Sequence, residues 1–484
     1  MKILPFLSLL LSSLFTFAQN APKPYGATPS KRQLAWHDVE VYGLIHFTPT
    51  TFENKEWGFG DADPKAFNPT DFNAEQIIKA AKAGGLKAVI LVSKHHDGFA
   101  LWPTKTTAYN ISKSPFRNGK GDMVKEIEQA ARKNGLKFGV YCSPWDRNNA
   151  LYGTDQYLAI YQAQLKELYS NYGELFMSWH DGANGGDGYY GGAKEKRSID
   201  NTTYYDWKNT WGMTRKMQPM ASIFSDIGPD VRWVGSEDGM AAATSWATFT
   251  PLPPEGKSVA VPGQANYPQS PMGIRNGKFW MPAECDVPLR KGWFYHATEK
   301  PKTSEMLFDL YLKSVGYGAG LDLGLAPDTR GQLHDDDVAA LKGFGDLVKH
   351  TFANNLASGA VAKASNTRGK NFSSSKVLDH NKQTYWATTD QAHTASLELD
   401  LKSSKTFDII SLQEFIPLGQ RIEAFNVEIF ENGSWKKVYE GESIGAKRLI
   451  KLEAPVTSNK VKLNITKSPV CITLSEFGLY KKTS

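Results

Sequence analysis

An eight-residue segment occurs twice in this sequence, 50 positions apart, and this repeat limits the fold more than any other feature. The first copy, AAKAGGLK, covers residues 80–87, and the second, AARKNGLK, covers residues 130–137. Each copy ends an amphipathic helix at a glycine and leads into a short apolar run rich in strand-forming residues. The repeated unit is therefore a helix followed by a strand, which is the building block of a parallel α/β sheet.

Further apolar runs extend this alternation over about 330 residues. A helix is predicted around residues 157–172 and another around 336–352, and strands are predicted around 41–47, 175–179, 231–234, 279–281 and 321–325. Alternation of this length favours an α/β fold of the TIM-like (β/α)-barrel type with insertions. An open doubly wound sheet is the alternative, but no Gly-x-Gly-x-x-Gly motif follows the first strand.

After residue 353 the pattern changes to short runs in which apolar and polar residues alternate. Residues 395–401 and 425–430 are examples, and Asn432-Gly433 supplies a turn between strands. We therefore expect two domains in the mature chain. A (β/α)-barrel over residues 19–353 is followed by an all-β sandwich over residues 354–484.

The first 18 residues predict a signal peptide, because Lys2 precedes an apolar stretch that ends near the small residue Ala18. No other segment reaches the roughly 18 apolar residues that a membrane helix needs. We expect an exported protein, periplasmic or extracellular, without membrane insertion. The net charge of +6 is spread along the chain without a basic block, which argues against nucleic acid as a partner.

Composition excludes several other classes of protein. With 41% hydrophobic and 22% charged residues, the chain is neither disordered nor collagen-like. Its three cysteines, Cys142, Cys285 and Cys471, are too few and too widely spaced for a disulfide framework or a metal site. We expect them to be buried as small apolar residues, and a Cys142–Cys285 disulfide is the alternative.

Polar and aromatic residues gather where the predicted parallel strands end. In a barrel of this type, the loops after the strands build the active site. The apolar runs end at His46, at His95-His96, at Tyr141, at Trp179-His180-Asp181 and shortly before Glu237. A core needs none of these residues, and burying several of them unpaired is costly. We expect an active site at this end of the barrel.

Two carboxyl groups among histidines and tryptophans favour glycoside hydrolysis, in which one carboxylate acts as nucleophile and the other group as acid. A metal site is the competing interpretation, with His95, His96 and Asp97 as ligands. Because neighbouring strand residues point to opposite sides, the two histidines should not face one ion, and we expect no catalytic metal. Each histidine or tryptophan alone could equally be structural; their joint placement favours function.

The segments that carry these residues resemble the retaining α-L-fucosidase family of glycoside hydrolases, which includes animal lysosomal and bacterial enzymes. The similarity covers residues 25–352 and implies hydrolysis of terminal α-L-fucose without a cofactor. The matching segments are Gly43-Leu44-Ile45-His46-Phe47, Lys55-Glu56-Trp57, Lys94-His95-His96-Asp97-Gly98-Phe99, Val140-Tyr141, Trp179-His180-Asp181-Gly182-Ala183 and Arg232-Trp233-Val234-Gly235-Ser236-Glu237.

The resemblance also implies a role for each matching residue. Asp181 matches the nucleophile and Glu237 the acid/base, for which Glu284 is the alternative. The residues that match the fucose-binding set are His46, Glu56, Trp57, His95, His96, Tyr141 and Trp179. Glu284, Asp286, Arg290 and Trp293 would then bind sugar beyond the fucose.

Three further features bear on specificity. The segment ending at Glu237 is similar to that of the subgroup that cleaves α-1,3- and α-1,4-linked fucose, which implies 3-fucosyllactose and Lewis-type glycans as substrates. His180 stands where the family usually has a hydrophobic residue. A glycine-rich insertion, residues 184–192, lengthens the loop after Asp181.

The C-terminal segment around residues 378–387 resembles the discoidin-like (F5/8 type C) sandwich of many carbohydrate-binding modules. The resemblance allows a structural calcium ion, although the sequence does not fix its ligands. The module either binds glycan or only supports the barrel. Two alternatives for the whole protein stay open: a non-catalytic glycan-binding protein and a barrel glycosidase for another sugar. The sequence does not give the oligomeric state.

Overall fold

The computed structural model describes residues 20–181, 188–190, 193–200 and 202–483. The predicted signal peptide lies outside the described residues, as do residues 184–187 and 191–192 of the glycine-rich insertion. Within that insertion, the backbone of Gly188–Tyr190 pairs with Glu195–Arg197 in a short antiparallel hairpin.

Eight parallel strands form the sheet of the first domain, in the order β5-β4-β3-β2-β1-β8-β7-β6. A single parallel bridge from Phe224 to Val231 joins the two ends, so the barrel is nearly closed. The predicted (β/α)-barrel is confirmed. The strands are β1 Val41–Ile45, β2 Ala88–Lys94, β3 Lys137–Cys142, β4 Met177–Trp179, β5 Ser222–Phe224, β6 Arg232–Trp233, β7 Ala283–Pro288 and β8 Gly320–Leu325.

Helices cover the outside of this barrel. They are α1 Lys31–His37, α2 Pro49–Phe52, α3 Ala74–Ala83, α4 Met123–Lys133, α5 Asp155–Asn171, α6 Trp207–Met217, α7 Ser304–Lys313 and α8 Asp335–Phe352. The repeated sequence segments end α3 and α4. Both helices begin with a side-chain cap. The Gln76 amide donates a hydrogen bond to the Asn73 side chain at 3.0 Å, and the Lys125 amide donates one to the Asp122 side chain at 2.9 Å.

The barrel departs from the sequence prediction between β5 and β8. Residues 225–231 alone connect β5 to β6, without a helix. The run at 279–281 is not a barrel strand, because Phe279–Trp280 pairs antiparallel with Thr248–Phe249 in a separate hairpin. The barrel strand at this position is β7, which begins two residues further along the chain.

The second domain is an antiparallel all-β domain, as predicted. Two strands of 20 residues, β11 and β14, pair along most of their length and are interrupted by register shifts near Asp400 and Phe407. Trp386 is fully buried in the core, and Tyr385 stacks on Phe415 at 4.0 Å. The strands are β9 Val361–Ala364, β10 Trp386–Ala387, β11 Ala395–Glu414, β12 Ala424–Glu431, β13 Ser434–Gly441, β14 Arg448–Lys467 and β15 Thr473–Tyr480.

The second domain binds the long connection that follows β6. The buried side chain of Gln420 accepts a hydrogen bond from the Ala247 amide at 2.9 Å and donates one to the Ser245 carbonyl at 3.0 Å. The Ser443 hydroxyl accepts from the Ser245 amide at 3.0 Å. Arg448 donates to the Ala243 carbonyl. The C-terminal domain therefore holds residues 243–247 of the barrel domain in place.

Gln420→Ala should lower the free energy of unfolding by about 2 kcal/mol, because it leaves a buried amide and a buried carbonyl without partners. Urea denaturation followed by circular dichroism measures this loss. Lys437→Ala, on the exposed hairpin of the same domain, is the control and should change the free energy by less than about 0.5 kcal/mol. Equal values for both variants would contradict the proposed role of Gln420.

Two smaller predictions can be compared with the structure. All three cysteines are free and buried, so the Cys142–Cys285 disulfide is not formed. Among the helices in the described ranges, none combines the length and the apolar character that crossing a bilayer requires.

Candidate active site

A cavity of about 300 Å³ opens at the carboxyl ends of the barrel strands. Ten of the thirteen residues predicted from the sequence line it, although they come from seven separate segments of the chain. The ten are His46, Trp57, His95, His96, Tyr141, Trp179, Asp181, Glu237, Asp286 and Trp293.

Asp181 follows β4 and is partly accessible, with 16% of its side chain exposed. The Tyr141 hydroxyl donates to its Oδ2 at 2.7 Å, and His96 Nε2 lies 3.4 Å from the same oxygen. Burial and the Asp181 charge raise the pKa of Tyr141 well above 10, so this tyrosine stays a donor. These contacts orient a carboxylate toward the cavity.

Three histidines, His46, His95 and His96, also line the cavity. His46 and His95 are buried, and burial lowers the pKa of His46 to about 3 and that of His95 well below its usual value. Both rings are therefore neutral at physiological pH. Each offers a ligand one donor nitrogen and one acceptor nitrogen. Their Nδ1 atoms have no hydrogen-bond partner among the described residues.

His95 and His96 both reach this cavity, and their ring centroids are 4.1 Å apart. The expectation that the two side chains point to opposite sides is wrong, because β2 ends at Lys94 and strand alternation ends with it. In the described ranges, no group of three or more His, Cys, Asp or Glu side chains is arranged to hold a metal ion.

Glu237 follows β6 and lies on the rim of the cavity, where its side chain is only partly shielded from water. Partial burial raises its pKa above 4.5, and the nearby Asp181 charge adds to this effect. A hydrogen bond from Trp293 lowers the pKa in part. Glu237 thus holds its proton more strongly than an ordinary glutamate does. Asp181 in the same cavity accepts a hydrogen bond from the Tyr141 hydroxyl.

Glu284 lies below the cavity floor, fully buried, and does not line the cavity. Trp179 Nε1 donates to its Oε1 at 2.7 Å, and the Tyr42 hydroxyl donates to its Oε2. Burial raises its pKa to about 7, and the carboxyl of Asp322 contacts it. Two buried carboxyl groups this close together do not both ionise, so one of them keeps its proton. Glu284 therefore fixes the Trp179 ring from below.

Glu56 and Arg290 also lie outside the cavity lining. Glu56 accepts hydrogen bonds from the Trp293 amide at 2.8 Å and from the Phe294 amide at 3.3 Å, and it lies 2.7 Å from His296 Nε2. Arg290 is buried in an ion pair with Asp337 at 2.9 Å. Glu56 holds the loop that carries Trp293, and Arg290 connects β7 to α8.

Six residues of the cavity lining were not predicted. One is Asp226, which is buried and accepts hydrogen bonds from the Gly263 amide at 2.8 Å and from the Tyr267 hydroxyl. Burial raises its pKa to about 6. Its position two residues after a three-residue strand was the only available signal. The six are Leu44, Phe224, Asp226, Trp233, Gly263 and Tyr267.

His180 stands where the family usually has a hydrophobic residue, and both of its ring nitrogens have hydrogen-bond partners. Its Nδ1 lies 2.8 Å from the Tyr161 hydroxyl and its Nε2 lies 3.1 Å from the Ser178 hydroxyl. Burial lowers its pKa to about 3, so the ring is neutral. His180 is a structural residue behind Asp181.

The segment around residues 378–387 of the C-terminal domain contains one carboxyl group, that of Asp379. Asp379 already accepts hydrogen bonds from the Asn381 amide at 3.1 Å and the Thr384 hydroxyl at 2.6 Å. Glu476 is a carboxylate near it, and Lys382 lies close to Glu476. Calcium takes six to eight oxygen ligands, so these two carboxyl groups alone do not form a calcium site.

The sequence matches two known families. Residues 26–351 match the family described as Alpha-L-fucosidase, and residues 361–477 match the F5/8 type C domain. These matches follow the barrel and the all-β domain.

Curated relatives and solved structures are similar over nearly the whole chain. Alpha-L-fucosidase 1 of Arabidopsis thaliana is 38% identical, with 98% of this chain and 92% of the relative covered. A crystal structure of a putative alpha-L-fucosidase from Bacteroides thetaiotaomicron has a TM-score of 0.86 at 35% identity, covering 96% of this chain and 99% of that one. A Ruminococcus gnavus GH29 fucosidase in complex with fucose has a TM-score of 0.85 at 30% identity, covering 96% and 98%.

Proposed function

Because this chain belongs to the alpha-L-fucosidase family of glycoside hydrolases, we propose that it is an exported enzyme that removes α-1,3- or α-1,4-linked L-fucose from branched glycans with retention of configuration. α-L-Fucosidase activity follows from the family. The linkage, the stereochemistry and the site roles below are proposed.

One observation supports this mechanism above all: Asp181 and Glu237, two of the carboxyl groups that line the cavity, have different surroundings. Asp181 is held by the Tyr141 hydroxyl, a donor that favours the ionised form. Glu237 has a raised pKa, which favours the protonated form. Such a pair suits a nucleophile and a proton donor. Fully buried Glu284, by contrast, does not reach the cavity.

The proposed reaction has two steps. Asp181 attacks the anomeric carbon of fucose while the bond to the leaving oxygen breaks, and Glu237 transfers its proton to that oxygen. Glu237, now ionised, takes a proton from water as the water oxygen attacks the same carbon and breaks the ester to Asp181. Two inversions give net retention, and both carboxyl groups return to their starting states.

The residues on the β1 to β4 side of the cavity suit the fucose itself. Neutral His46 and His95 and the His96 ring can hydrogen-bond sugar hydroxyls. Trp57, whose side chain is largely exposed at the rim, offers an apolar surface for the methyl group that fucose carries in place of a hydroxymethyl group. An apolar surface at this position favours the methyl group of a deoxy sugar over the hydroxymethyl group of its hydroxylated analogue.

We expect fucose release to be faster from 3-fucosyllactose than from 2′-fucosyllactose or an aryl α-L-fucoside. A free-fucose assay with the purified mature protein at equal substrate concentrations measures the three rates. An equal or faster rate on the aryl fucoside would contradict the branch-specific proposal. No release from any of the three would favour a glycan-binding protein or another sugar substrate.

Export is proposed from the apolar leader. Expression of the full chain in a Gram-negative host should place the processed protein in the periplasm, and N-terminal sequencing should find a start near Gln19. A variant that lacks residues 2–18 should stay in the cytoplasm. An unprocessed N-terminus in the periplasmic fraction would contradict cleavage at Ala18.

A further inference from the structure

One wall of the cavity has no role in the proposed binding of fucose. It consists of side chains from the β5 and β6 ends and from the long connection after β6. Trp233 and Tyr267 are its largest members, and both are only half-buried, so part of each ring is accessible. Their centroids are 5.5 Å apart and their planes are inclined by 78°. The two rings form a corner.

Hydrogen bonds at the polar atoms fix both rings. Trp233 Nε1 donates to Asp286 Oδ1 at 2.7 Å, and the Tyr267 hydroxyl donates to Asp226. Asp226 also accepts from the Gly263 amide, which ties it to the same connection. The polar atoms are thus used within the protein, and the apolar ring surfaces remain for a ligand. A preformed, rigid aromatic surface is typical of a binding site.

The position of the wall identifies the part of the substrate that it meets. Trp233 ends β6, and Glu237 follows it by four residues on the same segment. In the proposed mechanism, the proton of Glu237 goes to the oxygen between fucose and the leaving group. A surface beside the proton donor, across the cavity from His46 and His95, faces the leaving group.

The charges of the wall limit the chemistry of that group. Four carboxyl groups line the cavity: Asp226 and Asp286 belong to the wall, and Asp181 and Glu237 lie beside it. Asp181, which is ionised in the proposed mechanism, would repel a leaving sugar that carries a carboxylate. Pyranose rings have apolar faces of C–H groups that pack against aromatic rings, while their hydroxyls reach water or polar atoms.

We propose that Trp233 and Tyr267 form the subsite for the leaving sugar, a neutral pyranose that carries the fucose on a ring hydroxyl. This inference rests on the proposed function, since it takes Glu237 as the proton donor. Selection of the leaving sugar then depends on a wall formed by the ends of β5 and β6 and by the irregular connection after β6.

The test compares two substrates that differ only in the leaving group. 3-Fucosyllactose has a leaving sugar, whereas α-L-fucosyl fluoride has a leaving group too small to contact the wall. Tyr267→Ala should lower the ratio of kcat/KM on 3-fucosyllactose to kcat/KM on the fluoride by about tenfold or more. Tyr267→Phe keeps the ring and should change the ratio less. Phe279→Ala, an exposed aromatic on the same connection but outside the cavity lining, is the control.

An unchanged ratio for Tyr267→Ala would overturn the subsite, whether both rates fall together or neither falls. If the wild type hydrolyses the fluoride but no oligosaccharide, the proposed linkage fails and the subsite is tested by inhibition instead. Glucose, galactose and N-acetylglucosamine should then inhibit fluoride hydrolysis, and Tyr267→Ala should weaken that inhibition about tenfold. No inhibition of the wild type by any of them would overturn the proposal.

Discussion

Asp181→Ala should lower kcat/KM on every α-L-fucoside by about 10⁴-fold or more, because the proposed covalent intermediate forms on this carboxylate. The loss should be similar for 3-fucosyllactose and for α-L-fucosyl fluoride, since both react at the same carbon. Release of fucose by the purified variant, followed over hours, measures the remaining rate. Asp155→Asn, at the exposed start of α5, is a control that should keep the wild-type rate.

Azide distinguishes a nucleophile from a residue that only binds the sugar. In Asp181→Gly, azide can occupy the space of the missing carboxylate and attack the fluoride substrate from that side. One inversion then gives the β-L-fucosyl azide. Rescue with this stereochemistry, identified by proton NMR, would support Asp181 as nucleophile. A variant that keeps more than about a tenth of the wild-type rate would remove Asp181 from that role and favour another carboxylate of the cavity.

The sequence alone was sufficient to predict the barrel, because helix periodicity is a local property. The helices α3 and α4 repeat the same capped, amphipathic pattern, and each leads into a strand buried on both sides. The prediction that the residues at the ends of β1 to β4 form one site follows from the barrel, because the carboxyl ends of parallel strands meet at one edge.

The other half of the site could not be predicted in the same way. Strands β5 and β6 have three and two residues, too short for a periodic signal, and no helix separates them. Tyr267 belongs to a connection with little regular structure, and it reaches the cavity through its contact with Asp226, 41 positions earlier. Such long-range contacts leave no pattern in the local sequence.

Burial explains why some motif residues lie outside the cavity. Glu284 is the alternative acid/base predicted from the sequence, yet it lies below Trp179 and accepts a hydrogen bond from Tyr42, 242 positions away. Arg290 likewise uses its guanidinium group in the ion pair with Asp337. A motif identifies residues that the fold needs, but it does not separate those that touch substrate from those that support them.

Glu237→Ala should lower kcat/KM on 3-fucosyllactose by about 10² to 10⁴-fold, because the leaving sugar then departs without a proton. α-L-Fucosyl fluoride needs little protonation of its leaving group, so its first step should be affected much less. In the wild type, kcat/KM on the oligosaccharide should fall as the pH rises through the raised pKa of Glu237, since only the protonated form is active. This alkaline limb should be lost in the variant.

The alternative acid/base is tested by the matched pair Glu237→Gln and Glu284→Gln. Both replace a carboxyl group by an amide of the same shape, so neither opens a cavity. Glu237→Gln should slow the oligosaccharide far more than the fluoride, and added azide should give α-L-fucosyl azide, because azide attacks the intermediate on Asp181 and completes a second inversion. Glu284→Gln disturbs the contacts to Trp179 and Tyr42 and should slow both substrates by a similar factor. The opposite result, with azide rescue and leaving-group dependence in Glu284→Gln alone, would make Glu284 the proton donor, and it would require the carboxyl group below Trp179 to reach the cavity during the reaction.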